Sequence, residues 1–297
     1  MPGLLAFIRS SKPLTKMTGN PSHPLLTGLH MRPIPLVIVA FGTTAKALAS
    51  YEHLDTQIKN RFPDHDVFWA YSSHMVRNRG AGQPQNTIPS PHEILETLYR
   101  QHYSWAVVQS LHLIGGHEFT RLVEETRQSP LRTSIGLPLL TSPQDYLSLC
   151  ASLSPLINIH PDQAILLVGH GTDHPAWCAY PALQYFMRRQ FGPRIFVGVI
   201  EEGYPSNVEV IADITAASYK KVCIIPLLLV AGMHFHRDLA GDHSDSWMSL
   251  LSAADISVEI IQQEIGILPG ISEMFCRHIE EALATIPENK RDAVVTK

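Results

Sequence analysis

The chain repeats itself. LVIVAFGTT (Leu36–Thr44) has the pattern of ILLVGHGTD (Ile165–Asp173), an apolar run ending in a Gly-Thr turn. Further along each half, DHDVFWAYSS pairs with GPRIFVGVIEE, and LHLIGGHEF (Leu111–Phe119) pairs with LLLVAGMHF (Leu227–Phe235). Three matched blocks in one order outweigh chance likeness between apolar strands. They call for two lobes of one design, divided near residue 155.

Each lobe reads as a parallel sheet flanked by helices, an α/β fold. The clearest strands are Leu36–Phe41, Val67–Tyr71, Trp105–Leu111, Ala164–Val168, Ile195–Ile200 and Val222–Leu229. All are near-continuous apolar runs, as strands buried on both faces require. Helical patterns fall near 45–61, 92–102, 118–127, 143–153, 176–190, 206–218 and 270–285. The Gly- and Pro-rich stretch Gly80–Pro91 reads as a surface loop. The expected organisation is a flexible N-terminal extension over 1–33, a first lobe over 34–155 and a second over 156–297. A second start at Met17 or Met31 fits the extension.

Composition narrows the function. Of 297 residues, 45% are hydrophobic and 17% charged, enough for a large core and too little charge for a disordered chain. A net charge of -4 offers no basic excess to neutralise phosphates, so nucleic acid is not an expected partner. No apolar run approaches a membrane span or a secretory signal, which makes a cytoplasmic protein the expectation, with no membrane partner. Cys150, Cys178, Cys223 and Cys276 form no CxxC pair and are expected to be buried free thiols. There is no GxGxxG after a strand, no Walker A motif and no nucleophile elbow.

In open parallel sheets ligands bind beyond the carboxyl ends of the strands. At three such ends in the second lobe stand His170, the Glu201-Glu202 pair and His234. Two imidazoles and a carboxylate suit a borderline divalent metal. A lone histidine after a strand is more often structural; two at paired strand ends reverse those odds. The repeat puts Phe41 in the place of His170, His74 near that of Glu202, and Glu118 in that of His234. Glu118 is a candidate further metal ligand or proton acceptor; alternatively, it is an acid that favours the first turn of a helix. His174 reads as a helix start, and MHFHRDLAGDHSDS reads either as a metal-entry path or as a solvated loop.

AFGTT, SLHLIGGHEF, VGHGTDHPA, VIEEGYPS and LLLVAGMHFHRDLAGD, in that order over roughly 35–245, resemble the class II tetrapyrrole chelatases of the anaerobic sirohydrochlorin cobaltochelatase family. The resemblance implies a chelatase-like fold with its active-site cleft between the lobes, and insertion of a divalent metal into a sirohydrochlorin-type tetrapyrrole without ATP. It carries His170, Glu202 and His234 over as metal ligands, His170 and His234 doubling as catalytic groups. Co2+ is the implied metal substrate, with Fe2+ or Ni2+ also accommodated, and no organic cofactor is called for. Met233 stands where the family often has Asp, and the first 30 residues match nothing in the family's pattern. The acidic macrocycle needs cationic partners, for which Arg77, Arg79 and Arg237 are the weaker candidates. A small homo-oligomer is compatible with the sequence. Other readings are a tetrapyrrole or metal carrier, a two-lobe binding protein of periplasmic type, and a zinc hydrolase with the same ligands.

Overall fold

The computed structural model describes residues 33–42, 49–72, 88–201, 203–230 and 235–287, with the backbone alone at 235 and 236. The extension up to residue 32, most of the Gly80–Pro91 loop, and His74, Arg77, Arg79, Glu202 and His234 lie outside the described residues.

The first sheet contains β1 (Leu36–Ala40), β2 (Val67–Tyr71), β3 (Trp105–Ser110) and β4 (Arg132–Gly136), ordered β2-β1-β3-β4. The second contains β5 (Ala164–Gly169), β6 (Ile195–Val199), β7 (Lys221–Pro226) and β8 (Ser257–Ile260), ordered β6-β5-β7-β8. Every pairing is parallel. The two orders are the same, strand for strand, as the sequence repeat demands.

Alternate residues of a strand face opposite sides of its sheet. Val37 and Val39 of β1 face outward into a cluster closed by Ile94, Leu95 and Leu98. These three lie on α2 (Pro91–Arg100), whose start is set by Pro91 and a Ser90–Glu93 capping box. Ala164, Leu166 and Val168 of β5 face a separate outer cluster with Trp247. The inner faces share one core: Leu36 and Ile38 of β1 and Ile165 and Leu167 of β5 belong to a single apolar cluster. Between the sheets lie α4 (Pro143–Asn158) and α5 (Ala179–Phe191), contributing Leu149, Leu153, Leu183 and Met187. The sequence pattern ends α4 at 153, but the helix runs through Pro155 to Asn158. Buried Leu153 and Ile157 flank the proline, and Arg194 donates to the terminal carbonyl of Ile157 at 3.2 Å.

The last described helix, α8 (Pro269–Ala284), follows the second sheet in sequence yet packs on β3 and β4 of the first. Arg277 Nη2 and His278 Nε2 donate to Asp145 Oδ1 at 2.5 and 3.0 Å, and Ser134 donates to the Ala282 carbonyl at 2.7 Å. Three thiols, Cys150, Cys223 and Cys276, are free and buried as expected, whereas Cys178 is exposed. Burial pushes the Cys150 and Cys276 thiols up to about 11 and Cys223 to about 12. No helix among the described residues is long and apolar enough to cross a membrane.

Candidate active site

Each lobe places a glycine at positive φ two residues past its first strand. Gly42 after β1 and Gly171 after β5 both have positive φ, 117° and 93°. A Cβ at Gly171 would also lie 3.1 Å from the Glu201 carbonyl oxygen and 3.1 Å from Val199 Cβ. Only glycine fits there. What precedes each glycine differs: half-exposed Phe41 in the first lobe, His170 in the second.

Hydrogen bonding between β5 and β6 continues past the strands. Ile200 N–H donates to the Gly169 carbonyl at 3.0 Å and Glu201 N–H to the His170 carbonyl at 2.8 Å. That continuation sets the two side chains together, with His170 Nδ1 3.6 Å from Glu201 Oε2. Both remain about half exposed, so the pair faces solvent rather than the core. Behind the turn, Tyr180 accepts from the Gly171 N–H at 3.0 Å. Burial pushes the Tyr180 phenol up to about 12, so the anchor stays protonated.

The first lobe comes to the same place through the turn after β3. Gly116 precedes α3 (His117–Arg127), and a Cβ on it would lie 3.7 Å from Thr172 Oγ1 of the second lobe. His117 Nε2 donates to Asp173 Oδ1 at 2.7 Å, and its ring meets that of His174 edge-on at 5.0 Å. The His117 hydrogen bond holds the Asp173 carboxyl below the usual range. His174 caps the Pro175–Cys178 turn by accepting from the Ala176 N–H, the helix start read from sequence.

Glu118 stands in the first turn of α3, with Oε1 accepting from Arg121 at 2.9 Å. Its other oxygen is buried without a hydrogen-bond partner among the described residues, as is Nε2 of His112. His112 Nδ1 lies 2.7 Å from Ser110 Oγ. Burial pushes the His112 imidazole down to about 4, against the opposing pull of the Glu118 charge, so the ring is neutral near pH 7. Sequence reasoning did not single out His112, although it lies in the SLHLIGGHEF block.

Of the residues expected from sequence, His170, Glu118 and Arg237 are described and Glu202, His234, Arg77 and Arg79 are not. The structure brings His170 to Glu201, the neighbour of the glutamate chosen from sequence. Arg237 is largely exposed, 3.7 Å from Asp238 Oδ1. Among the described residues no three His, Cys, Asp or Glu side chains converge to hold a metal.

Known proteins match over this whole region. The family model "Cobalt chelatase (CbiK)" covers residues 35–284. A sirohydrochlorin cobaltochelatase of Salmonella typhimurium is 32% identical over 257 residues, covering 84% of this chain and 96% of that protein. The sirohydrochlorin cobaltochelatase CbiKC of Nitratidesulfovibrio vulgaris is 30% identical over 261 residues, covering 85% and 92%. In structure, SirB from Bacillus subtilis with Fe3+ superposes with a TM-score of 0.60 at 14% identity, covering 84% of this chain and 95% of SirB, a likeness of fold. The chain belongs to the cobalt chelatase (CbiK) family.

Proposed function

We propose that this chain inserts Co2+ into sirohydrochlorin without ATP, working at the strand ends of its second lobe. The observation that carries the reading, in a member of this family, is His170 beside Glu201 at adjoining strand ends, both open to solvent. A metal entering the ring must shed its waters, and the ring must lose two N–H protons. The imidazoles of His170 and His234 supply lone pairs for the metal and accept those protons. A carboxylate from Glu201 or Glu202 balances the cation's charge. Glu118, with one oxygen buried and unpartnered among the described residues, is a second acceptor on the opposite lobe. Arg237, and Arg77 and Arg79 with it, pair with carboxylates on the macrocycle's rim. Fe2+ and Ni2+ suit the same donors, since affinity alone does not select cobalt.

Anaerobic mixing of the protein with sirohydrochlorin and Co2+ tests the proposal. The absorbance change of metallation is expected to run faster with protein than without it. With equal Co2+, Fe2+ and Ni2+, the cobalt product is expected to lead. Tight binding of the macrocycle with no gain in rate would make the protein a carrier.

A further inference from the structure

Two large exposed aromatic side chains stand on the turns that carry His170 and Glu201. Trp177 is 40% exposed and Tyr204 is 48% exposed, whereas Trp69 and Trp247 are buried. Trp177 lies on the single-turn helix after β5 and Tyr204 on the turn after β6. Their rings meet edge to face, centroids 5.4 Å apart at 74°.

Their place follows from contacts already described. The turns after β5 and β6 are joined at the Glu201 N–H to His170 carbonyl bond. They close again two residues on, where a Cβ at Gly203 would sit 2.8 Å from the Thr172 carbonyl oxygen. One step further out the same turns present Trp177 and Tyr204. The seam thus runs from the pair proposed to handle metal to an aromatic surface on the same lobe. Exposed apolar surface costs free energy that a bound apolar ligand recovers. A flat conjugated macrocycle offers the faces and edges that aromatic rings prefer.

We propose that Trp177 and Tyr204 form a ledge that receives the tetrapyrrole and positions its ring against the His170–Glu201 pair. The proposal rests on the chelatase reading and adds residues that bind the macrocycle rather than the metal. Trp177 and Tyr204 are therefore positioning residues, and their loss is felt in the KM for tetrapyrrole.

Initial rates of cobalt insertion, measured against sirohydrochlorin concentration at saturating Co2+, test it. Trp177→Ala and Tyr204→Ala are each expected to raise the KM for sirohydrochlorin about tenfold, the effect of losing one aromatic contact with the ligand. The KM for Co2+ and kcat are expected to stay within about twofold of wild type, and Trp177→Phe to regain most of the loss, a rescue that a purely steric role at the surface would not require. Circular dichroism of each variant verifies the fold. Wild-type turnover with unchanged KM in both alanine variants overturns the ledge and leaves the chelatase reading standing. Variants altered in oligomeric state but not in KM assign the aromatics to self-association and also overturn it. A wild-type protein that inserts no cobalt overturns the chelatase reading itself.

Discussion

The two lobes share a strand order and a turn but not the chemistry at their strand ends. β1 and β5 are wholly buried, each between two parallel neighbours, and each runs into a glycine at positive φ. Burial on both faces leaves little freedom to change a residue in the strand, and positive φ leaves little in the glycine. The residue between strand and glycine meets neither constraint. There one lobe carries Phe41 and the other His170. A duplicated scaffold keeps what packing enforces and diverges where side chains reach solvent.

The likeness of the lobes breaks down most at α8, which comes after the second sheet and serves the first. Its anchor, Asp145, has a side chain 1% exposed. It accepts from Arg277, His278, Thr141 and Ser142. Burial alone would raise the Asp145 carboxyl, but hydrogen bonds from His278, Ser142 and Thr141 outweigh it and hold the group well below the usual carboxylate range. Asp145→Ala strands an arginine and a histidine and is expected to cost about 3–5 kcal/mol in urea denaturation. Because the folded value is depressed, the stabilisation is complete above the unfolded value near ~4 and is lost as pH falls through the folded one. Wild type should therefore lose stability in acid more steeply than Asp145→Ala. Independent melting of the lobes, with the second untouched by the substitution, would show that α8 does not tie them together.

A smaller effect sharpens the comparison of the turns. Gly42→Ala and Gly171→Ala each force a side chain into the left-handed region and are each expected to cost about 1–3 kcal/mol of stability. Gly171→Ala adds crowding against Glu201 and Val199 and is expected to be the one that also slows cobalt insertion. Equal losses of activity in the two variants would erase the functional distinction between the turns.

Six strands were legible in the sequence because each is a continuous apolar run. The two described strands that were not, β4 (RTSIG) and β8 (SVEI), are edge strands with one neighbour each, β4 buried at only two of its five positions and β8 at none. The seven-residue helix α7 (Trp247–Ala253), too short for a clear period, also escaped. The pattern of α8 announced a buried helical face but carried no information about which sheet it would cover. At the site, the repeat pointed to His170 and Glu118, since each can be compared with its counterpart in the other half. Glu201 and Glu202 are adjacent and identical in chemistry, and only the continued β5–β6 pairing brings Glu201 to His170. His112, Trp177 and Tyr204 stayed hidden because an unpartnered buried nitrogen or an exposed aromatic is a property of packing.

Cobalt insertion by His170→Ala and Phe41→Ala, measured side by side, decides whether metal handling belongs to the second lobe. Loss of the imidazole proposed to bind metal and accept protons is expected to lower kcat/KM about 100-fold or more, while Phe41→Ala should stay within about threefold of wild type. Near-wild-type rates in His170→Ala, or equal losses in both variants, would contradict the account.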